Sequence, residues 1–558
     1  MVDAFPPGAW LVLGALLVPV VGRLRPVLLL GLPLVVLAIV WRLPEGASAA
    51  LAFLDYELVL VKVDSLGRLF AIIFALMAFA GALFALRQQS QLELVSALVY
   101  AGGAVGVALA GDLITLFICW EIMALASSTV IVAAGGEVAT RVALRYFLVH
   151  VFGGSLLLAG IVLHVAEGGA LAVGHVDAGT LAGGLMLAGV LINAAAPPLS
   201  AWLPDAYPEG SFSGTVFLSA FTTKAAVYVL IRMFPGTEIL VPIGLIMIFY
   251  GIIYALLEND MRRILAYSIV NQVGFMVTGA GIGTAMALNG AAAHAFAHII
   301  YKALLLMSAG AVLYMTGRRK CSDLGGLFQS MPVTTACGII GALAISSFPL
   351  TSGFVSKSMI SQAAGDEHLV WTWFLLMAAS AGVFLHAGIK FPWFVFFQKD
   401  SGLRPRDPPW NMQAAMIFFA ALCIGLGIWP GPLYALLPHP VDYVPYTAPH
   451  VVNMLQLLLF SGLAFFLMLP LMKRTLTITL DTDWIYRRLL PAAWARVGAV
   501  VRRADARARH VLLETVHRLV AEVAARYGGG SEAASPWPTR RMILIVVAML
   551  GLYVLMTL

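Results

Sequence analysis

The chain has 558 residues, of which 61% are hydrophobic and only 11% are charged. Soluble proteins carry about 25% charged residues, so this composition excludes a water-soluble chain and indicates many bilayer-spanning segments. The apolar segments are long and continuous, which favours an all-α polytopic membrane protein over an outer-membrane barrel with short alternating strands. The net charge of +6 comes from basic residues that crowd into a few loops, which is typical of membrane topology and not of nucleic-acid binding.

Long apolar segments follow one another almost end to end, and we expect about 14–16 transmembrane helices from them. In chain order they lie near residues 9–22, 26–41, 66–86, 94–110, 113–134, 142–166, 179–203, 213–234, 239–257, 263–281, 285–315, 333–364, 369–390, 412–430, 452–472 and 541–557. The first has no basic region before it, so we interpret it as a span and not as a cleavable signal peptide. Basic residues occur in alternate loops, so the positive-inside rule predicts that those loops are cytoplasmic and that the N-terminus is outside.

Two of the predicted spans are interrupted. The segment 333–364 contains Ser347-Phe348-Pro349-Leu350-Thr351-Ser352-Gly353, and the segment 179–203 contains Ala196-Pro197-Pro198-Leu199. Proline removes a backbone donor, and broken backbone survives at membrane depth only where protein or water satisfies it. Two such segments in corresponding halves predict a transporter with two inverted repeats, and ordinary proline kinks are the alternative. We interpret 333–364 as one discontinuous helix, because that returns the basic stretch 399–406 to the cytoplasm.

These features divide the chain into consecutive regions. They are N-terminal transmembrane helices over 1–90, a first half-channel repeat over 91–235, a second over 236–392, C-terminal transmembrane helices over 393–472, a polar segment over 473–540 and a final transmembrane helix over 541–558. The polar segment interleaves arginine with leucine and valine, which predicts amphipathic helices on the cytoplasmic face, in contact with anionic lipid or with another protein of a membrane complex. A solvated linker is the alternative for part of it.

Ionisable residues lie at membrane depth in the predicted spans. They are Glu121, Lys224, His294, His298, Lys302 and Lys357. The two histidines and Lys302 recur every fourth residue, so they share one stripe of a helix. A charge at the bilayer centre costs at least about 2.5–3.5 kcal/mol, so such residues are usually functional. We therefore favour a proton pathway through this set over purely structural pairing.

Lysine, histidine and glutamate have the chemistry to pass protons along such a row. A buried lysine loses hydration of its charged form and then exchanges a proton near neutral pH, where histidine already titrates. The alternatives are an ion pair between Glu121 and Lys224, or haem ligation by the histidines with His150 or His386 as second ligand. Basic residues near span ends, such as Lys390 and Arg232, are expected to reach the membrane interface.

At these motifs the sequence resembles the antiporter-like proton-translocating subunits shared by respiratory complex I and Mrp-type Na⁺/H⁺ antiporters, most of all the D branch of the Mrp proteins. The segments that carry the resemblance are 112–121, 201–224, 258–268 and 294–305, which include Trp202-Leu203-Pro204-Asp205 and Asn259-Asp260-Met261-Arg262-Arg263. The resemblance extends over roughly residues 60–430.

The resemblance implies inverted five-helix repeats, each with one broken helix and one half-channel. By that resemblance Glu121 is the glutamate paired to a lysine, Lys224 is the lysine after the first break, and His294, His298 and Lys302 form the central connection. Lys357 matches the terminal lysine of the second half-channel. The sequence departs from the family at Asn193, where the family has a lysine on the first broken helix. Either Lys224 takes over as partner of Glu121, or the first half-channel is altered and leaves room for a cation site.

The sequence therefore predicts a proton-translocating subunit of a multi-subunit cation (Na⁺)/proton antiporter in a bacterial or archaeal cell membrane. Its expected partners are other membrane subunits, the lipid bilayer, H⁺ and Na⁺. The alternatives are a pumping subunit of a complex I-like NADH:quinone oxidoreductase or membrane-bound hydrogenase, and a lone transporter or structural scaffold. The four cysteines lack CxxC spacing and no NAD, flavin or iron–sulfur motif is visible, so we expect neither a metal nor a cofactor.

Overall fold

The computed structural model describes residues 5–54, 56–470, 481–527 and 537–557. Parts of the predicted polar segment 473–540 therefore lie outside the described residues. The chain forms two compact units, Met1–Asp483 and Trp484–Leu558. In the described ranges, thirteen helices are long and apolar enough to cross a membrane, and two more predicted spans consist of shorter helices on either side of a break. This confirms the all-α polytopic class.

The N-terminal region contains α1 (Pro7–Ala15), α2 (Arg25–Arg42) and α3 (Ser65–Phe84). The predicted span 9–22 is not one continuous helix, because α1 has only nine residues. At 1.5 Å per residue such a helix is about 14 Å long, half of what the hydrocarbon layer requires. The chain forms turns from Leu16 onwards. Pro19 lacks the backbone N–H that a longer helix would need there.

A β-hairpin that the sequence analysis did not predict separates α2 from α3. Strands β1 (Ser48–Phe53) and β2 (Tyr56–Lys62) pair antiparallel, with Ser48 opposite Lys62 and an irregularity between Ala49 and Ala50. Helix α3 begins soon after β2, and the Asp64 carboxylate accepts a hydrogen bond from the Gly67 N–H at 2.8 Å. A carboxylate at this position satisfies one of the free donors of the first helical turn.

The region 91–235, which we expect to form the first repeat, is helical. Its helices are α4 (Gln91–Leu109), α5 (Leu113–Val132), α6 (Gly136–Ala166), α7 (Leu181–Asn193), α8 (Trp202–Ala206), α9 (Gly214–Leu218) and α10 (Thr222–Met233). Helices α7 and α8 are the two pieces of the first broken helix, so the predicted break is confirmed between residues 194 and 201. A further interruption at residues 219–221 separates α9 from α10, which the sequence analysis did not predict.

The region expected to form the second repeat is also helical and also contains a broken helix. Its helices are α11 (Leu240–Leu257), α12 (Met261–Ile282), α13 (Ala285–Thr316), α14 (Pro332–Ile345), α15 (Ser352–Asp366) and α16 (Val370–Val383). The break between α14 and α15 covers residues 346–351, so the segment 333–364 is one discontinuous helix as predicted. After α16 the chain continues as π-helix over Phe384–Lys390 and again over Trp393–Phe397.

The two repeats are related by recurring local geometry. Asp112 caps α5 and forms an isolated β-bridge with Ala172, and Asp260 caps α12 and forms one with Lys320. The same sequence interval separates Asp112 from Asp260 and Ala172 from Lys320. In both breaks, the second residue after the helix end (Ala195 or Ser347) has a positive φ, 62° and 59°. Because each repeat crosses the membrane an odd number of times, the second is inverted relative to the first.

The C-terminal part of the first unit contains α17 (Trp410–Ile428), α18 (Gly431–Tyr434) and α19 (Ala448–Met468). Helix α17 packs against α3, α13, α14 and α15, so it braces the second repeat. The second unit contains a π-helical turn (Ile485–Leu489), α20 (Leu490–Tyr527) and α21 (Thr539–Thr557). Helix α20 lies within the predicted polar segment, and its exposed side chains include apolar residues such as Trp494, Val497 and Leu519.

Candidate functional site

Helix α13 carries three of the ionisable residues that the sequence analysis singled out. It contacts α12, α14, α15 and α17 on its sides, and its residues from Ala287 to Val312 are buried. His294, His298 and Lys302 lie on this helix and have no exposed surface at all. Because they recur every fourth residue, their side chains project from one face of α13 and form a row along its axis.

His294 connects α13 to two neighbouring helices. Its Nε2 lies 3.1 Å from Gln272 Oε1 on α12, and its Nδ1 lies 3.2 Å from Ser356 Oγ on α15. Tyr301 OH donates a hydrogen bond to the same Gln272 oxygen at 3.1 Å. Ser356 precedes Lys357 in the chain, so the network leads from the centre of α13 to the second broken helix.

Lys302 and His298 continue the row in the other direction. The Lys302 ammonium donates a hydrogen bond to Ser268 Oγ on α12 at 2.8 Å. Both ring nitrogens of His298 are buried without a hydrogen-bond partner in the described structure, and its ring packs against Tyr301 at 5.2 Å. Lys302 follows His298 by one helical turn on α13, and Lys224 is near enough to interact with His298 electrostatically.

Lys357 lies in the second turn of α15, directly after the break. Its Nζ is 3.4 Å from the Ile345 carbonyl oxygen at the end of α14 and 5.0 Å from the centre of the Phe275 ring. A cavity of about 510 Å³ is lined by Lys357, Asp366, Asp442 and His450, among others. Lys357 is therefore the member of the row that meets a space large enough for many waters.

The hydrogen bonding of Lys224 depends on the interruption between α9 and α10, which the sequence analysis did not predict. Its ammonium donates to the Ser219 carbonyl oxygen at 2.6 Å and to Thr223 Oγ1 at 3.1 Å. The Ser219 carbonyl is free to accept because the helix is broken there. Among the described residues, no ion pair joins Lys224 to Glu121, which argues against the structural-pair alternative.

Glu121 and Asn193 each approach one of two consecutive glycines on α6. A side chain added at Gly154 would collide with Glu121 Oε1, and one added at Gly153 would lie 3.3 Å from Asn193 Oδ1. Both of these oxygen atoms are buried without a hydrogen-bond partner in the described structure. Glu121 and Asn193 thus lie against consecutive glycines of α6, whereas Lys224 has its hydrogen-bond partners at residues 219 and 223.

A row of hydroxyl groups, which the sequence analysis missed, lies in the first repeat. Tyr146 OH on α6 donates to Ser127 Oγ at 2.9 Å and lies 3.5 Å from Thr222 Oγ1, and Tyr100 OH lies 2.5 Å from Thr222 Oγ1. Thr222 is two residues from Lys224. Uncharged hydroxyl residues are common in transmembrane helices, so only their position in the fold distinguishes them.

Two basic residues that were expected at the interface have polar partners within the protein. Lys390 Nζ donates to the carbonyl oxygens of Leu256 at 2.5 Å and Glu258 at 2.6 Å at the end of α11. Arg232 pairs with Asp64 at 2.5 Å. Burial raises the pKa of Asp64, but the hydrogen bond and charge of Arg232 outweigh burial, so this pKa lies below its usual range. Lys390 is buried, whereas Arg232 and Asp64 are partly exposed, so an interfacial position of the two basic residues stays a prediction.

The fold and the buried row together define an antiporter-like polytopic membrane protein. Residues 110–384 match the family described as "NADH:quinone oxidoreductase/Mrp antiporter, TM". This match confirms the resemblance seen in the motifs of this part of the chain. The match contains both breaks, Glu121 and the buried basic residues from Lys224 to Lys357.

Curated relatives cover different parts of the chain. The D protein of the Na⁺/H⁺ antiporter of Alkalihalophilus pseudofirmus is 34% identical over 284 residues, which are 47% of this chain and 57% of the relative. The A/B protein of a probable K⁺/H⁺ antiporter of Rhizobium meliloti is 31% identical over 359 residues, 60% of this chain and 36% of the relative. The chain therefore spans less than two thirds of the length of these relatives.

Solved structures share the fold over almost the whole chain. The likeness to a chain of the Mrp complex from Dietzia sp. DQ12-45-1b has a TM-score of 0.78 and 24% identity, and covers 98% of this chain and 65% of that one. The likeness to a chain of an archaeal membrane-bound sulfane sulfur reductase has a TM-score of 0.72 and 24% identity, and covers 97% and 99%. At this identity the two structures establish the fold alone.

Proposed function

We propose that this chain is the proton-translocating membrane component of a multi-subunit cation/proton antiporter in a prokaryotic cell membrane, with Na⁺ as the exchanged cation. The observation that carries the proposal is the row of buried basic side chains from Lys224 through His298, Lys302 and His294 to Lys357. Five such groups in one membrane interior would be costly without a function, because an isolated charge in hydrocarbon costs at least about 2.5–3.5 kcal/mol.

In this proposal a proton moves between Lys224 and Lys302 by way of His298, then through His294 and Ser356 to Lys357. The side chains of His298, Ser308 and Ser352 contain buried polar atoms that have no hydrogen-bond partner in the described structure. Buried polar groups of this kind normally bind ordered water, so water would bridge the gaps between the basic side chains. The cavity beside Lys357 then connects the row to one side of the membrane.

The proposal includes an orientation and a division of the chain. The alternate basic loops favour a cytoplasmic position for those loops and an N-terminus outside. By that topology the cavity lined by Asp366 and Asp442 opens to the outside. Residues 91–235 and 236–392 would form the two half-channels, a division supported by the recurring caps and bridges at Asp112 and Asp260.

A component of a redox-driven pump is the second candidate, because the matching family includes quinone oxidoreductase proteins as well as antiporter proteins. In both cases the chain would conduct protons and the driving reaction would lie in partner subunits. Purification of the assembled complex separates the two candidates. Small hydrophobic partners favour the antiporter, and partners with iron–sulfur clusters favour the redox pump.

The test of proton translocation uses inverted membrane vesicles that contain the assembled complex. We expect Lys357→Ala and Lys224→Ala each to abolish the change in a pH-sensitive dye, since each removes one proton-carrying group from a single row. Lys399→Ala is the matched control, because this lysine is exposed and lies outside the row. Full dye response in both Lys357→Ala and Lys224→Ala would refute the proposed function.

A further inference from the structure

His150 is a buried histidine that the proposed row does not use. It lies in the middle of α6 and has no exposed surface. Neither ring nitrogen has a hydrogen-bond partner in the described structure. Burying an imidazole with both nitrogens unsatisfied destabilises a fold, so such a residue is usually retained for its chemistry or for bound water.

Aromatic side chains hold the His150 ring without occupying its nitrogens. The ring centre lies 4.0 Å from that of Tyr146 and 4.5 Å from that of Trp202. The Trp202 indole N–H donates to the Ile192 carbonyl oxygen at 2.9 Å, and the Tyr146 hydroxyl donates to Ser127. Both polar groups of this aromatic pair therefore have their own partners, and the imidazole nitrogens stay available.

Two glycines lie one helical turn from His150 on the same face of α6. Gly153 is close to Asn193, and Gly154 is close to Glu121. The free oxygens of those two side chains are buried and unpartnered in the described structure, like the imidazole nitrogens. Asn193 has no group that takes up a proton. Position 193, where we expect the family to have a lysine, thus lacks a proton-carrying side chain. The imidazole of His150, which has no hydrogen-bond partner in the described structure, lies one turn away on α6.

On the other side of His150, one turn back along α6, lies Tyr146. Its hydroxyl belongs to the row that leads through Thr222 towards Lys224. A hydroxyl accepts a proton on its oxygen while it donates its own hydrogen to the next group, so such a row relays protons without becoming charged. His150 therefore stands between the Glu121 carboxylate and the hydroxyl row.

We propose that His150 is the proton-carrying group of the first half-channel and takes the part of the lysine that is absent at Asn193. One imidazole nitrogen accepts a proton that the Glu121 carboxyl releases, by way of a bridging water, and the other nitrogen releases a proton to the hydroxyl row that ends beside Lys224. The imidazole is neutral before and after the passage. This inference rests on the proposed function and names a further residue of the same pathway.

The test compares variants in vesicles that contain the assembled complex, with assembly checked by co-purification of the partner subunits. A positioned proton-transfer group contributes about 100-fold or more, so we expect His150→Gln to lower proton flux by about 100-fold. His164→Gln is the matched control on the same helix, near its end, and should keep full flux. A second change, Asn193→Lys in the His150→Gln background, should restore flux, because it supplies a proton carrier beside Glu121.

Full flux in His150→Gln would overturn the inference, as would a loss of flux that Asn193→Lys does not relieve in the assembled complex. The second outcome would assign His150 to packing between Tyr146 and Trp202. Lys357→Ala, assayed in parallel, separates this result from failure of the proposed function. If Lys357→Ala loses flux and His150→Gln keeps it, only the role of His150 fails. If wild-type vesicles move no protons, the proposed function fails and the role of His150 fails with it.

Discussion

Gln272 tests whether the hydrogen bonds around His294 matter for both stability and transport. Its side-chain oxygen lies 3.1 Å from His294 Nε2 and 3.1 Å from Tyr301 OH, and all three side chains are fully buried. Leucine has a similar volume but no acceptor. In Gln272→Leu the imidazole and the phenol therefore lose their shared partner in an environment without bulk water.

The size of the effect follows from the number of polar groups left unpaired. Each buried polar group without a partner costs about 1–3 kcal/mol. Tyr301 OH and His294 Nε2 are already 3.3 Å apart and can bond to each other, so one of these two groups is left unpaired. Asn271 Oδ1 also loses the hydrogen bond that the Gln272 amide donates. With two unpaired groups, we expect Gln272→Leu to destabilise the protein by about 2–6 kcal/mol. If about 1.4 kcal/mol of this falls on the orientation of His294, proton flux would slow by about tenfold.

The measurements are thermal unfolding of the purified complex and dye-reported proton flux in vesicles. Gln89→Leu is the control, since this glutamine is exposed and an exposed substitution usually changes stability by less than about 0.5 kcal/mol. An unchanged unfolding temperature in Gln272→Leu would refute the reasoning on unpaired polar groups. Full proton flux in a destabilised Gln272→Leu would remove His294 from the pathway.

Two further predictions concern Asp64 and Asn193. Because its pKa is lowered in the folded protein, Asp64 stabilises the fold above the unfolded-state pKa of about 3.9, and this contribution is lost as pH falls through the folded-state pKa. The difference in unfolding temperature between wild type and Asp64→Asn should therefore be constant at neutral pH and shrink below about pH 4; a difference that does not vary with pH would contradict this. Asn193→Lys by itself should assemble and keep its transport activity, since it restores the family pattern beside Glu121, and complete loss of assembly would count against our alignment of this position.

Much of the helical framework follows from local sequence. A run of about 20 apolar residues is long enough to cross the bilayer, and proline interrupts a helix wherever it occurs in the interior. For that reason both breaks, at residues 194–201 and 346–351, were predictable. The stripe of His294, His298 and Lys302 was predictable on the same grounds, because residues four apart share a helix face.

Features that depend on distant contacts were not predictable in this way. The β-hairpin over residues 48–62 pairs two short strands whose hydrophobic pattern is weak, and the span expected over 9–22 stops at Ala15. The Lys390 ammonium caps carbonyl oxygens more than 130 positions away. A sequence pattern identifies a lysine near the end of a span, but the partner that the lysine finds depends on which helix packs beside it.

The sequence by itself determined the class of protein, the two broken helices and the identity of the buried ionisable residues, because each follows from the hydrophobicity, proline content and periodicity of a single segment. Only the tertiary structure decided how those residues are grouped. It places Glu121 against Gly154 and Asn193 against Gly153 of α6, gives Lys224 hydrogen-bond partners elsewhere, and leaves His150 without a hydrogen-bond partner in the described structure. The physical reason is that hydrogen-bond partners are set by the packing of helices that are far apart in the chain.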